Sequence, residues 1–294
     1  MNTVNVGNIP IGAGHPLVLI SGPCVIEDRD TVFAIADALK TLTTRLGIPW
    51  IFKASYEKDN RGSARGYAGP GEDDGLRVLE DVKRRFEVPV ISDVHQVEQV
   101  APAAEVLDIL QIPAYLCQQS SLVLACGRTG KPVNVKKGQF LAPENMASAV
   151  GKLRSVGNDQ ILLTERGACF GYNRLVSDLR CVPIMQQLGC PVVYDPTHII
   201  RIYGVPSDDP RGGEPEYVPM LTRAAVAAGV NALFIETHLD VTKAKCDAVS
   251  MLRFDLLEKL LPQVLALSKL VREWGEDTPR LLRTDFSTGK VCEV

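Results

Sequence analysis

Residues 88–113 read VPVISDVHQVEQVAPAAEVLDILQIP. Two short apolar runs, VPVIS at 88–92 and ILQIP at 109–113, stand on either side of a short helical pattern near 96–107. Runs this short and this uniformly apolar fit strands buried on both faces of a parallel sheet, and parallel neighbours need a crossover of this kind between them. The same unit recurs in both directions. LVLIS at 17–21 and WIFKA at 50–54 lie upstream, and PVNVK at 132–136, ILLTE at 161–165, PVVYD at 191–195 and ALFIE at 232–236 lie downstream, which makes eight runs in all. Apolar periodicity predicts helices over 31–46, 76–86, 143–156, 179–188, 219–228 and 256–274, several closing at glycine, with only short ones near 96–107 and 119–127.

Eight β/α units without a Pro/Gly/Ser-rich linker or a break in composition predict an α/β chain folded as a single (β/α)8 TIM barrel, one domain over 1–294 with the barrel at 17–275. The preceding VNVGNIPIGAGHP alternates and turns at Gly-Ala-Gly, so residues 1–16 are expected to form an N-terminal β-hairpin that closes the bottom of the barrel. Residues 276–294 read as a C-terminal tail, and the long 199–217 connection, rich in Gly, Pro and charge, has the character of an active-site lid.

The composition removes several classes of function. With Lys+Arg 32 against Asp+Glu 35 and no basic run, the net charge of −3 argues against nucleic acid as a partner. No apolar stretch approaches the roughly 20 residues of a membrane helix, and the N-terminus lacks the basic and apolar regions of a secretory signal, so no membrane partner and a cytoplasmic location are expected. Eight cysteines without CxxC spacing read as reduced thiols, available as metal ligands.

In such a barrel chemistry lies at the C-terminal ends of the strands. There the sequence places Cys24, Lys53 and Ser55, Asp93 and His95, Gln111, Asn134 with Lys136 and Lys137, Glu165 and Arg166, Asp195 and His198, then Glu236 and His238. Lys53, Lys136 and Arg166 would converge from three strands, and Lys58, Asn60 and Arg61 in the loop KDNRGSARGYAGPG join them at the rim. Buried cations need partners, so the cluster predicts a bound anion, with two phosphates favoured over one. The competing reading pairs these bases with Glu165, Asp93 and Asp195 as structural ion pairs, and it applies as well to Lys137. Cys24, His198, Glu236 and Asp247 form a second constellation, because the last strand of a closed barrel neighbours the first. Thiolate, imidazole and two carboxylates could hold a divalent metal ion: zinc, iron(II) or manganese(II). Each residue also has a structural reading, as a small buried cysteine, a core histidine or a helix-capping carboxylate.

The segments SGPCVIE, FKASYEKDNRGS with RGYAGPG, SDVH, QIPAYL, VNVKKGQF, ERGACFGYN, DPTH and FIETH followed by AKCD closely resemble the 3-deoxy-D-manno-octulosonate 8-phosphate synthase family over roughly residues 4–270. The resemblance implies a (β/α)8 barrel, a homotetramer, and condensation of phosphoenolpyruvate with the aldose phosphate D-arabinose 5-phosphate. It also implies the metal-dependent class, since the metal-free class carries asparagine where this chain has Cys24, with the metal on Cys24, His198, Glu236 and Asp247. Carried over residue by residue, it places the donor on Lys53, Ser55, Lys58, Gln111, Ala114, Lys136 and Arg166. The sugar phosphate falls on Asn60, Arg61 and Ser63, with Asp93 and Asp247 near the sugar hydroxyls.

Four departures concern the acceptor or the lid. KANRSS reads KDNRGS, with Gly62 for a serine; an arginine that reaches a sugar phosphate across a subunit interface is Gln118; Ser-Gly-Gly reads Arg211-Gly-Gly; and HPxP reads His238-Leu-Asp-Val. Arg211, on the lid, is the expected compensation. Two alternatives accompany the arabinose 5-phosphate reading: the same condensation with another sugar, such as erythrose 4-phosphate or a specialised-pathway sugar, and a barrel that binds metabolites or a partner without turnover.

Overall fold

The computed structural model describes residues 1–59, 66–170, 173–206 and 209–274, together with the backbone of two short antiparallel strands, Leu282–Asp285 and Lys290–Glu293. A small hairpin comes first, β1 (Val4–Val6) and β2 (Ile9–Ile11), followed by β3 (Val18–Gly22), α1 (Arg29–Leu46), β4 (Trp50–Lys53), α2 (Glu72–Phe86), β5 (Val90–Asp93), α3 (Val97–Val106), β6 (Ile109–Ile112), α4 (Ser120–Arg128), β7 (Val133–Lys136), α5 (Ala147–Ser155) and β8 (Ile161–Glu165). The antiparallel pair β9 (Ala168–Cys169) and β10 (Leu175–Val176) leads to α6 (Cys181–Gln186), β11 (Val192–Tyr194), α7 (Pro196–Ile199), α8 (Val218–Ala227), β12 (Ala232–His238), β13 (Leu252–Arg253) and α9 (Phe254–Glu273).

Strands β3 to β8, β11 and β12 pair in parallel, and the sheet closes where β12 pairs with both β3 and β11, Ala232 lying opposite Val18 and Val193. All eight barrel strands are buried along their whole length, which is why their sequences show no alternation.

The hairpin plugs this barrel. Val4, Val6, Ile9 and Ile11 pack in one cluster with Val18, Ile20, Ile51, Ile91, Ile109, Leu162, Val193 and Phe234, the inward-facing side chains of the strands. Its turn lies at Gly7-Asn8, between Val6 and Ile9, where Gly7 takes φ of 58°. The expected turn at Gly-Ala-Gly is therefore displaced: tight two-residue hairpin loops need positive φ at the first central position, which Gly7 supplies, and residues 12–14 instead carry the chain from the hairpin toward β3.

Helices α2 and α5 begin away from their sequence limits, and α6 spans Cys181–Gln186 rather than the expected 179–188. Helix α2 begins four residues before Leu76, because its first turn is Glu72, Asp73 and Asp74, acids that favour the positive end of the helix dipole but carry no apolar periodicity. The expected 143–156 helix opens as a 3-10 turn, Pro143–Met146, before α5. Among the described residues no helix is long and apolar enough to cross a membrane.

Candidate active site and metal centre

Strand β3 ends at Gly22, where a Cβ would stand 2.0 Å from the Lys53 carbonyl oxygen. Only glycine admits that approach of β3 to β4, and it leaves Cys24 beside the end of β4. Lys53, 1% exposed, donates from Nζ to the Cys24 carbonyl at 2.8 Å and to Glu236 Oε1. Lys136 Nζ donates to Asp195 Oδ2 at 2.6 Å and lies 4.0 Å from the centre of the Phe234 ring.

A connected polar chain crosses the basin. Asp93 accepts from Ser55 Oγ at 2.6 Å and from Gln111 Nε2 at 2.6 Å, with Lys58 Nζ at 3.5 Å; Gln111 in turn accepts from Asn134 Nδ2, and Asn134 from Thr164 Oγ1. Ala114, 7% exposed, opens the 3-10 turn that follows β6. Three of the expected cations, Lys53, Lys58 and Lys136, thus already have a carboxylate partner. Arg166 instead donates from Nη1 to the Tyr203 hydroxyl at 2.8 Å, which also accepts from Gln139. Lys137 is structural: its Nζ faces Glu165 and the carbonyls of Gly138, Leu141 and Gly167.

Helix α7 begins with Asp195 as its cap, accepting from the His198 backbone N–H at 3.0 Å and from the Thr197 hydroxyl at 2.9 Å. Its other oxygen lies 2.7 Å from His198 Nδ1, close but outside hydrogen-bond geometry, and leaves Nε2 free for a ligand. That Nε2 lies 3.8 Å from Glu236 Oε2, a buried oxygen without a hydrogen-bond partner. Donor atoms of His198, Glu236 and Asp247 fall within 4.8 Å of one another, as do those of Cys24, Cys246 and Asp247. The four expected ligands therefore gather at one place as two triads that share Asp247, rather than as one equidistant set. This donor chemistry and the orphaned Glu236 oxygen fit a divalent cation. His238 stands apart, its Nδ1 accepting from Asp240 N and its Nε2 facing Glu27.

Electrostatics sharpen the contrast. Burial opposes ionisation of Asp93, yet Lys58, Lys53, His95 and Lys136 together hold its carboxyl well below the usual carboxylate range. Glu236 is also buried, and Lys53, His198 and Lys58 bring it down to about 2. Burial, with the Cys246 thiol next to it, pushes the Cys24 thiol well above its ordinary value. A cation bound there must displace that thiol proton.

Asn60, Arg61 and Ser63, with Gly62, lie outside the described residues. Arg211 forks onto Asp209 at 2.6 and 3.0 Å with its side chain 84% exposed. The guanidinium that turns inward from the same connection is Arg201, whose Nε is 4.0 Å from Asp247 and whose Nη1 is buried without a partner. Sequence reasoning missed Arg201, Tyr203 and Cys246. Cys246 carried a usable signal, since it immediately precedes an expected ligand; the other two lie in a connection without strand or helix periodicity.

The chain matches the DAHP synthetase I family over residues 2–273. It is 51% identical over 273 residues to a 2-dehydro-3-deoxyphosphooctonate aldolase of Desulfosudis oleivorans, covering 92% of this chain and 98% of that protein. Proteins of the same description from Syntrophotalea carbinolica and Geobacter metallireducens are 49% and 51% identical, each again covering 92% of this chain and 98% of the relative.

Proposed function

The chain belongs to the DAHP synthetase I family, and from that premise we propose that it condenses phosphoenolpyruvate with D-arabinose 5-phosphate and water, giving 3-deoxy-D-manno-octulosonate 8-phosphate and phosphate. The observation that supports this reading is the cluster of Lys53, Lys58 and Lys136 on the carboxylates of Glu236, Asp93 and Asp195, beside the two metal-ligand triads. C3 of the donor attacks the aldehyde carbon, water adds at C2, and the tetrahedral intermediate expels phosphate by C–O cleavage.

Lys53, Ser55, Lys58, Gln111, Ala114, Lys136 and Arg166 hold the carboxylate and phosphate of the donor. The lysines share their carboxylate partners with it, while Arg166 turns from Tyr203 to it. Fixed cations stabilise charge as it develops on the expelled phosphate. Asp93, ionised and anchored by Ser55 and Gln111, and Asp247 accept from sugar hydroxyls, and Asn60, Arg61 and Ser63 hold the sugar phosphate. Cys24, His198, Glu236 and Asp247 would hold a divalent cation, which would supply Lewis-acid polarisation of the aldehyde or orientation of the water that adds at C2. The protein acts in the cytoplasm as a homotetramer. Tyr115, Phe140 and Phe170, on the neighbouring connections after β6, β7 and β8, are 50%, 55% and 78% exposed and offer apolar surface for a second copy to cover.

The test is phosphate release from phosphoenolpyruvate in the presence of arabinose 5-phosphate, with and without a chelator. Release that needs the sugar and stops on chelation is expected. Release with no sugar dependence, or none at all in metal-loaded protein, overturns the reading. A second acceptor stays open because Gln118 is exposed at the surface in place of an arginine. Erythrose 4-phosphate or an unphosphorylated sugar that reacts faster than arabinose 5-phosphate identifies that case.

Among the described residues the Arg211 side chain is held by a solvent-screened ion pair with Asp209 alone, so it is free to leave Asp209 for a sugar phosphate. Replacing it by alanine is expected to raise the KM of the acceptor roughly tenfold and to spare that of phosphoenolpyruvate, the size of one lost phosphate contact. An unchanged acceptor KM removes Arg211 from the site.

A further inference from the structure

Among the described residues Arg166 is the member of the donor cluster that faces no carboxylate. Its guanidinium donates instead to the Tyr203 hydroxyl at 2.8 Å, and Tyr203 lies on the connection that follows α7. We propose that Tyr203 is a positioning residue of the donor site: its hydroxyl competes with an oxygen of phosphoenolpyruvate for Arg166, so that an anionic donor displaces it and the connection after α7 registers donor occupancy.

This inference rests on the donor reading and deepens it, since it names the group that phosphoenolpyruvate must replace. The Tyr203 oxygen has two lone pairs, and Arg166 Nη1 and Gln139 Nε2 fill both at 2.8 Å. Its own proton is left to donate, and the Tyr115 hydroxyl is the partner. One phenol oxygen thus joins side chains from the connections after β6, β7, β8 and α7.

The contact is suited to exchange. Arg166 and Gln139 are 6% and 3% exposed, so neither polar group can turn to bulk water when it lacks a partner. A neutral hydroxyl satisfies one guanidinium nitrogen. A carboxylate or phosphate brings the opposite charge and can take two parallel N–H groups, which a hydroxyl cannot. A neutral sugar oxygen gains nothing over the phenol, so displacement answers to an anion.

The backbone bonds of the segment run elsewhere. The Ile202 N–H donates to the Gly212 carbonyl and the Tyr203 N–H to the Asn173 carbonyl, at 2.9 and 2.8 Å, which leaves the phenol as the tie to the donor arginine. Arg201, two residues earlier, stands 4.0 Å from Asp247. A single short segment therefore touches both the donor arginine and the carboxylate read as reaching the sugar.

The test titrates full-length wild type and Tyr203→Phe with phosphoenolpyruvate and records the near-ultraviolet tyrosine difference spectrum of each. Tyr203→Phe is expected to bind phosphoenolpyruvate roughly tenfold more tightly, the size of one competing contact to a charged group removed. Loss of a merely structural contact weakens binding and does not strengthen it. Wild-type protein should show a tyrosine difference signal that saturates with the donor, and Tyr203→Phe should lose it. Donor affinity that is unchanged or weaker in Tyr203→Phe, or a difference signal that is absent from wild type or survives in the variant, overturns the proposal and leaves the donor pocket in place. Wild-type protein that binds no phosphoenolpyruvate overturns the donor pocket itself. Should Tyr203→Phe not fold, wild type is titrated with inorganic phosphate at concentrations that compete with phosphoenolpyruvate: the same tyrosine signal supports the proposal, and its absence refutes it.

Discussion

Replacing His198 by alanine should strip the protein of bound divalent metal and lower turnover by roughly a thousandfold or more, while the barrel stays folded. A Lewis-acid ion contributes several kcal/mol to such a reaction, and each 1.4 kcal/mol is about tenfold in rate. The fold survives because the imidazole is only one of the groups around Asp195, which keeps Lys136, the Thr197 hydroxyl and the residue-198 backbone N–H. Cys24→Asn should behave alike, since the contact of Lys53 with residue 24 is to its backbone carbonyl and outlives the change of side chain. Metal content per protomer, measured with circular dichroism and activity on the same sample, decides the matter. Wild-type protein that holds no stoichiometric metal and keeps full activity after exhaustive chelation would refute the metal centre. So would a His198→Ala protein retaining both metal and rate.

The barrel was legible because its strands are buried on both faces, so each announces itself as an unbroken apolar run and the count alone separates a closed barrel from two half-sheets. The polar strand ends were legible for the complementary reason. Lys53, Lys136 and Glu236 interrupt runs that packing would fill with aliphatic residues, and at 1%, 6% and 1% exposure they are buried like the apolar residues Phe52, Val135 and Ile235 that precede them. Partnership was less visible than position. Lys136 and Asp195 are 59 residues apart, and nothing local says that they meet at 2.6 Å.

The 199–217 connection shows where periodicity gives no guidance. Composition marked it as a lid, but whether Arg201 or Arg211 turns inward depends on bridges from Arg201 to Gly213 and from Arg174 to Ile202, contacts that span chain without regular structure. The sugar-phosphate loop at Asn60, Arg61 and Ser63 carries no apolar periodicity, and only the family resemblance marks it.

Lys136→Ala and Arg166→Ala should separate two kinds of cation that sequence treats alike. Both are expected to weaken phosphoenolpyruvate binding, since each loses a charge-assisted contact worth about 1.5–3 kcal/mol, or roughly tenfold to 150-fold in affinity. Only Lys136→Ala should also destabilise the fold strongly. Its partner Asp195 has no exposed side-chain surface, and removing one member of a buried pair typically costs about 3–5 kcal/mol; His198, the Thr197 hydroxyl and the residue-198 N–H still face the carboxylate, which places the expected cost at the lower end. Arg166 faces a neutral hydroxyl that Gln139 continues to satisfy, so its loss strands no charge. The same logic predicts that Asp195→Asn placed on Lys136→Ala recovers part of the lost stability, because the orphaned carboxylate becomes a neutral amide, while donor affinity stays low. Denaturant unfolding of the four proteins, with donor titration of each, reads the two effects independently. If Lys136→Ala proves as stable as Arg166→Ala, the pair with Asp195 is not the constraint described; if neither variant loses donor affinity, the anion pocket lies elsewhere in the basin.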